Sequence, residues 1–319
     1  MKIAILDDYQ QIALNAADWK SLPAGTEVKS FAQYIPSQAE VIKQLAPFDV
    51  IIAMRERTRF SAEVIDALPN LRLLVSTGAR NASIDSKACE RRKIALSGAQ
   101  GTKHAQSSTS EVAWGLILAL TKKMPQSEKS MRSGGWQETV MTESLSGKTL
   151  GVLGLGRLGQ YVAKYGQAFG MSVIAWSPNL TPERTAEFGV RHVSKDALFA
   201  QADIISVHMV LAAATRGIVG AADIARMKPT AYIVNTSRGP LIDEQALMDA
   251  LKEKRIGGAG LDVFWSEPLA SDHPLRRLDN VVLTPHVGYV VDDNMKMFYE
   301  NALKNIKHWL AGEPMTPLK

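Results

Sequence analysis

The stretch Leu150-Gly151-Val152-Leu153-Gly154-Leu155-Gly156-Arg157-Leu158-Gly159 limits the folds open to this chain more than any other. The apolar run Leu150–Leu153 reads as a buried strand, and a helical pattern follows from about Leu158 to Phe169. Between them lies Gly-x-Gly-x-x-Gly, with glycines at 154, 156 and 159. Each glycine answers a physical need, in turn a tight bend out of the strand, a close backbone approach to a pyrophosphate, and close packing of helix on strand. The pyrophosphate would then sit at the positive N-terminal end of the helix. Glycine-rich turns are common, and the motif gains meaning from the strand before it and the helix after it, which make it a dinucleotide-site signature.

A chain of 319 residues is long for one core, so two domains are expected. The net charge of +5 is mildly basic, but the basic clusters, such as Arg91-Arg92-Lys93 and Arg276-Arg277, are short and scattered. They read as solvated surface and give no reason to expect a nucleic-acid partner, while a positive protein would draw an anionic substrate and cofactor. Cys89 is the only cysteine, which fits a reducing compartment. The N-terminus reads directly as a strand, Lys2–Leu6, closed by Asp7-Asp8, without a signal-peptide pattern. The apolar run near Val112–Leu120 is too short to span a bilayer. A cytoplasmic protein with no membrane partner is expected. No His or Cys cluster has ligand spacing, so no metal is expected.

Residues 1 to 100 alternate strand-like runs (Ile3–Leu6, Glu27–Phe31, Val50–Met54, Leu71–Ser76, Ile94–Ser97) with helical patterns such as Ala39–Leu45 and Ser61–Leu68. That alternation argues for a parallel sheet with helices on both faces. A long helix is expected from Lys103 to Lys129, and a loop from Met131 to Gly147. A second α/β region opens at Leu150 and continues through Val173–Trp176, Ile204–Val207, Tyr232–Asn235, Gly260–Val263 and Val281–Thr284. A final helix begins after Asp292 and runs to about Leu310.

In open α/β sheets, ligands bind outside the carboxyl ends of the strands, so the polar residues placed there carry the argument. Arg238 directly follows an apolar strand in Asn235-Thr236-Ser237-Arg238-Gly239-Pro240, and an arginine fork matches a carboxylate bidentately. Glu267 lies a few residues past Leu261-Asp262-Val263-Phe264, beside Pro268. His286 follows Leu283-Thr284-Pro285, and His208 has a similar strand-end setting. Each alone has a structural reading: a surface ion pair, a loop carboxylate, a packed histidine. Together they suit reduction of a 2-keto acid, which needs a hydride to carbon, a proton to oxygen and a grip on the carboxylate. His286 would give the proton, Glu267 would fix its ring and favour the imidazolium, and Arg238 would hold the carboxylate.

With these segments in family order over nearly the whole chain, the sequence resembles the D-isomer-specific 2-hydroxyacid dehydrogenases, in the glyoxylate/hydroxypyruvate reductase and phosphoglycerate dehydrogenase branch. The matching pieces are Gly151–Gly159, Asn235–Glu244, Leu261–Phe264, Glu267-Pro268 and Pro285–Gly288. The resemblance implies two doubly wound parallel-sheet α/β domains: a Rossmann dinucleotide-binding domain, residues 101–292, inserted into a flavodoxin-like substrate domain, residues 1–100 plus 293–319. It maps the family's catalytic set onto Arg238, Glu267 and His286, and its carboxamide-contacting aspartate onto Asp262. It further implies a closing cleft and a homodimer. Cofactor contacts are expected from Gly154, Gly156, Arg157, Leu158 and Gly159, from Ser177, Asn179 and Thr181, and from His208, Thr236 and Asp262. Substrate contacts are expected from Arg55, Arg57, Gly78, Ala79, Arg80 and Arg238.

Two places depart from the family pattern. The strand that should end in a ribose-binding acid ends Trp176-Ser177-Pro178-Asn179-Leu180-Thr181. Ser177, Asn179 and Thr181 could donate to a 2′-phosphate, with Arg184 in reach, so NADP(H) is expected over NAD(H); a looser grip on NAD is the alternative. The loop Ser76-Thr77-Gly78-Ala79-Arg80-Asn81 carries an arginine where the family has a second glycine. Arg80 could bind an anionic substituent or turn into a salt bridge. Arg55 and Arg57 could hold a phosphate or second carboxylate, or pair with Glu56 or Asp85. The chain reads as one catalytic unit without a C-terminal regulatory domain. The reading is an NAD(P)-dependent reductase of a small anionic 2-keto acid; a non-catalytic dinucleotide-sensing protein of the corepressor kind is the second.

Overall fold

Short apolar runs form the strands, and the parity of their residues decides where the layers go. The structure, a computed structural model, describes residues 1–102, 105–137 and 141–318. The expected helix start at Lys103, His104 and residues 138–140 of the expected loop lie outside the described residues. The chain divides into two compact units, Met1–Ala105 with Val290–Lys319, and Gln106–Tyr289.

In the first unit the strands are β1 (Lys2–Ile5), β2 (Glu27–Ser30), β3 (Val50–Ala53), β4 (Leu73–Thr77) and β5 (Ala95–Ala99). All pair in parallel, in the order β2-β1-β3-β4-β5. This is the flavodoxin-like order, with its reversal between β1 and β3. Ala4, Ile51 and Leu74 pack with Val41, Val64 and Ala88 of three covering helices. Their strand neighbours Ile3, Ile5, Val50, Ile52 and Val75 point the other way and are equally buried. The closing helix Asp292–Ala311 packs against β4 and β5.

The second unit holds β6 (Thr149–Leu153), β7 (Ser172–Trp176), β8 (Arg191–His192), β9 (Ile204–Val207), β10 (Tyr232–Asn235), β11 (Gly258–Leu261) and β12 (Val281–Leu283). Their parallel order is β12-β11-β10-β9-β6-β7-β8, a Rossmann sheet with its reversal between β6 and β9. Alternate residues again feed two cores. Ile205, Ile233 and Ala259 join Leu198, Ile224 and Leu247 on one face. Ile204, Tyr232 and Val234 join Trp114, Ile117 and Val162 on the other. The expected architecture of two parallel-sheet α/β domains is therefore observed.

One expectation fails. The helix that starts at Ala105 stops at Thr121, and a separate helix runs Met124–Arg132. Pro125 sits in the first turn of the second helix and would clash with the carbonyl four residues back, at Thr121. Lys123 takes up the break in the left-handed region, at φ 50°. The two-residue β8 is too short to leave a periodic signal in the sequence.

Candidate active site

Register builds the site in the second unit. Trp176, Leu153, Val207, Asn235, Leu261 and Leu283 are partners across the sheet. The next residues along, Ser177, Gly154, His208, Thr236, Asp262 and Thr284, therefore line its carboxyl edge.

Gly154 has φ +102°, and a Cβ there would meet the His208 carbonyl oxygen at 2.7 Å. Gly159 would meet the Gly154 carbonyl oxygen at 2.1 Å, so helix Arg157–Ala168 lies directly on the turn. Gly156 has nothing within 4 Å of its missing Cβ and caps that helix without a side chain. The helix start thus has no side-chain cap, and open space adjoins Gly156, which suits an anion. The Thr236 hydroxyl and His208 Nδ1 are buried polar atoms without a hydrogen-bond partner. His208 Nε2 lies 2.7 Å from the Ser206 hydroxyl, and burial pushes its pKa down to about 4, so the ring is neutral. An open glycine cradle with orphaned polar atoms along the same edge fits a bound dinucleotide. Ser177 is half-buried at the end of β7, Asn179 and Thr181 are exposed, and Thr181 accepts from Arg184 N as a helix cap.

Arg238 follows a turn clamped by Asn235, whose side chain accepts from Ser237 N and donates to Arg238 O, both at 2.9 Å. Gly239 is required because a Cβ would lie 2.2 Å from the Phe264 carbonyl carbon. This close approach brings the Arg238 turn against the loop carrying Glu267. Glu267 accepts from Phe264 N at 2.9 Å through one oxygen and contacts His286 Nδ1 at 2.6 Å through the other. Burial pushes the Glu267 carboxyl up, but His286, the Phe264 N–H and the Arg238 charge outweigh it and hold the group below the usual carboxylate range. The pairing leaves His286 Nε2 for a second partner. His286 itself sits in the left-handed region at φ 54°, a costly conformation for a side-chain-bearing residue. Asp262 holds it there: its carboxylate accepts from the Thr284 hydroxyl at 2.6 Å and from Val287 and Gly288 N at 2.9 Å. Burial raises the Asp262 pKa despite these donors.

In the first unit, Gly78 has φ +99°, and Arg55 Nη1 lies 1.9 Å from where its Cβ would be. Arg55, at φ 51°, donates its N–H to the Thr77 hydroxyl at 3.0 Å, and its carbonyl accepts from Asn81 at 2.6 Å. Arg57 donates to the Asp7 carbonyl at 3.0 Å and stacks on Tyr9 at 4.6 Å. Glu56 lies 3.8 Å from Arg55, whereas Asp85 caps a helix through Ala88 N. Ala79 is half-buried; Arg80 is exposed and has no ion pair among the described residues.

Residues 114–288 match the family model described as D-isomer specific 2-hydroxyacid dehydrogenase, NAD binding domain. The chain belongs to this family. It is 39% identical over 253 residues to D-3-phosphoglycerate dehydrogenase of Archaeoglobus fulgidus, covering 79% of this chain and 47% of that one. Glyoxylate reductase of Korarchaeum cryptofilum is 32% identical over 283 residues, 87% of this chain and 84% of that one. A crystal structure of phosphoglycerate oxidoreductase from Vibrio cholerae superposes with a TM-score of 0.91, at 34% identity, over 98% of this chain and 99% of that one. The chain spans about half the length of the curated phosphoglycerate dehydrogenases it matches, 47, 52 and 55%.

For this 2-hydroxyacid dehydrogenase family member, sequence reasoning points to Arg238, Glu267 and His286, which lie on adjoining loops of one unit. It misses the residues that hold them. Asn235 and Thr284 have no role in the sequence reading, and Ser206, Phe264 N and Tyr289, whose ring meets His286 edge-on at 5.5 Å, do not enter it. In the first unit it misses Asp7, which accepts from Thr58 and Tyr9, and Asn81. The strand-end rule applied to β1 leads to Asp7. Among the described residues no helix is long and apolar enough to cross a membrane, and no cluster of His, Cys, Asp or Glu could hold a metal.

Proposed function

We propose that this chain reduces a small anionic 2-keto acid to its 2-hydroxy acid with a nicotinamide dinucleotide. The observation that carries the reading is the 2.6 Å contact between His286 Nδ1 and Glu267, with the Arg238 charge acting on the same carboxylate. The bound nicotinamide supplies the hydride to the keto carbon. Glu267 fixes the imidazole and balances its positive form. Nε2–H gives its proton to the carbonyl oxygen, so the keto acid gains a hydride and a proton in all. Arg238 holds the substrate carboxylate and draws electron density from the carbonyl. Gly154, Gly156, Arg157, Leu158 and Gly159 would hold the pyrophosphate, and His208, Thr236 and Asp262 the nicotinamide side. Asp262 combines this with holding the His286 turn.

NADP(H) is the preferred cofactor on this reading. No acid stands at the end of β7, and Ser177, Asn179 and Arg184 offer donors there. Arg55, Arg57 and Arg80 give the first unit a cationic group suited to a second anion on the substrate, a phosphate or carboxylate. A homodimer is supported by apolar side chains exposed close together in sequence: Met124 (51%), Met131 (54%), Trp136 (69%) and Met141 (89%). The single buried thiol at Cys89 supports a cytoplasmic setting.

The test is cofactor oxidation followed by absorbance, with NADPH and NADH in parallel against glyoxylate, hydroxypyruvate and phosphohydroxypyruvate. Turnover that favours NADPH and collapses in Arg238→Ala, with the fold intact, is expected. Preference for phosphohydroxypyruvate, lost in Arg80→Ala, would assign the arginines to a second anion. Tight dinucleotide binding without any turnover would sink the enzyme reading in favour of a sensing role.

A further inference from the structure

β5 is an edge strand, and an edge leaves a row of backbone groups to be satisfied. Here the closing helix does so with asparagines. Asn294 accepts from Thr102 N at 3.1 Å, Asn301 donates to Gln100 O at 2.6 Å, and Asn305 donates to Gly98 O at 3.3 Å. Positions 294, 301 and 305 share one helix face, and their amides meet alternate residues of the extended chain. The tail beyond the helix completes the clasp. Asn305 Oδ1 accepts from Thr316 N at 3.0 Å, and the Thr316 carbonyl accepts from Gly98 N at 2.9 Å. Leu318 packs on the unit's core.

The clasped strand is the backing of the Gly78 turn. Gly78 N donates to Ala99 O at 2.5 Å. A Cβ on Gly98 would lie 2.9 Å from the Gly78 carbonyl and 3.1 Å from the Pro317 carbonyl, so Gly98 is held between turn and tail. Asn305 is 2% exposed and bonds both Gly98 and the tail, at Thr316. A merely space-filling residue at this point has no need of an amide with one donor and one acceptor committed.

We propose that Asn305, backed by Asn301 and the Thr316–Leu318 tail, is a positioning residue that keeps the Gly78–Arg80 turn in its substrate-binding shape. The inference rests on the reading that this turn meets the keto acid. The experiment compares wild type with Asn305→Asp, which keeps the acceptor for Thr316 N and loses the donor to Gly98, by hydrogen exchange and kinetics. Exchange of the Gly78 and Gly98 amides should quicken about tenfold or more while β1 and β3 keep their protection. The keto-acid KM should rise about five- to tenfold with kcat and dinucleotide Kd within about twofold. Should Asn305→Asp fail to fold, Asn301→Ala, at a half-buried position, is expected to show the same pattern in weaker form. Unchanged exchange at Gly78 in a folded variant, or a KM that stays put while exchange quickens, overturns the proposal. If wild type turns over no keto acid, the functional reading fails separately, and the exchange data still decide whether Asn305 holds the turn.

Discussion

Gly154 and Gly78 end strands in the two units with nearly the same backbone, φ +102° and +99°, yet the space beside each turn is used differently. After Gly154 the chain reaches Gly156, where nothing lies within 4 Å of the missing Cβ and a helix N-terminus is left uncapped. At Gly78 the space of the missing side chain is taken by the unit's own Arg55 guanidinium, where at Gly154 it is taken by the His208 carbonyl. One turn is open for the backbone to meet an anion; the other uses the absent side chain to seat a cation. The buried acids repeat the contrast. Asp262 spends its acceptors on the His286 turn, while Asp7 accepts from Thr58 and Tyr9 and its carbonyl holds Arg57. The second unit thus fixes the His286–Glu267 pair, and the first fixes positive charge. On the proposed function this separates chemistry from recognition.

The largest expected effect tests that separation. His286→Ala should lower kcat by about 10² to 10⁴, the usual contribution of a positioned acid, with dinucleotide Kd and keto-acid KM changed only a few-fold. A loss that fell on KM instead would erase the division of labour. Acid should remove the same activity by a second route. The Glu267 carboxyl lies below its usual 4.5, so the pair is intact above that value and is lost as pH falls through the lowered one. The contribution of this pair to stability follows the same course.

A glycine exchange sharpens the contrast directly. Gly156 has φ −78° and open space around it, so Gly156→Ala should leave the melting temperature nearly unchanged and weaken dinucleotide binding by about tenfold or more. Gly78→Ala should do the reverse. It forces a side chain into the left-handed region at a cost of about 1–2 kcal/mol, displaces Arg55, and raises keto-acid KM while dinucleotide Kd holds. Calorimetric titration with NADPH and a thermal melt of each variant separate the outcomes. Equal losses of dinucleotide affinity in both would show that the two turns do not serve different ligands.

Both sheets were legible because parallel strands buried on two faces are nearly continuous apolar runs, such as Val50–Ala53 and Ile204–Val207. His286, Glu267 and Arg238 were legible because each lies a short way past such a run, at the carboxyl edge where ligands bind. The supports were not. Asn305 acts on Gly98 across 207 residues, and Asn81 acts on Arg55 across 26, through contacts that no local periodicity encodes. The break at Lys123 was written in Pro125 and overridden by the apolar pattern of the helix before it. The fate of Arg55 was not readable at all, since it depends on the shape of a turn that Gly78 makes far along the chain, after the next strand.

The smallest effect concerns stability against acid, and it carries opposite signs in the two units. His208, whose carbonyl lies against Gly154, titrates at about 4 in the folded chain and at 6.5 when free. Between those values the unfolded chain binds a proton that the native one refuses, so lowering the pH favours unfolding. From pH 7 to 5 this amounts to about 1–2 kcal/mol, with some discount for the partial exposure of the residue. Asp7, which holds Arg57, is raised above 3.8 chiefly by burial. Its native form takes up a proton before the unfolded chain does, and acid relieves its cost. Urea unfolding at pH 7 and pH 5 should therefore show a loss that shrinks in His208→Gln, whereas on further acidification toward 3.8 Asp7→Asn should leave a steeper acid loss than wild type, because the compensating proton uptake is gone. An acid slope unmoved by His208→Gln would mean that the native ring takes up its proton over the same pH range as the unfolded one, and that the edge beside Gly154 is wetter than its unpartnered Nδ1 implies.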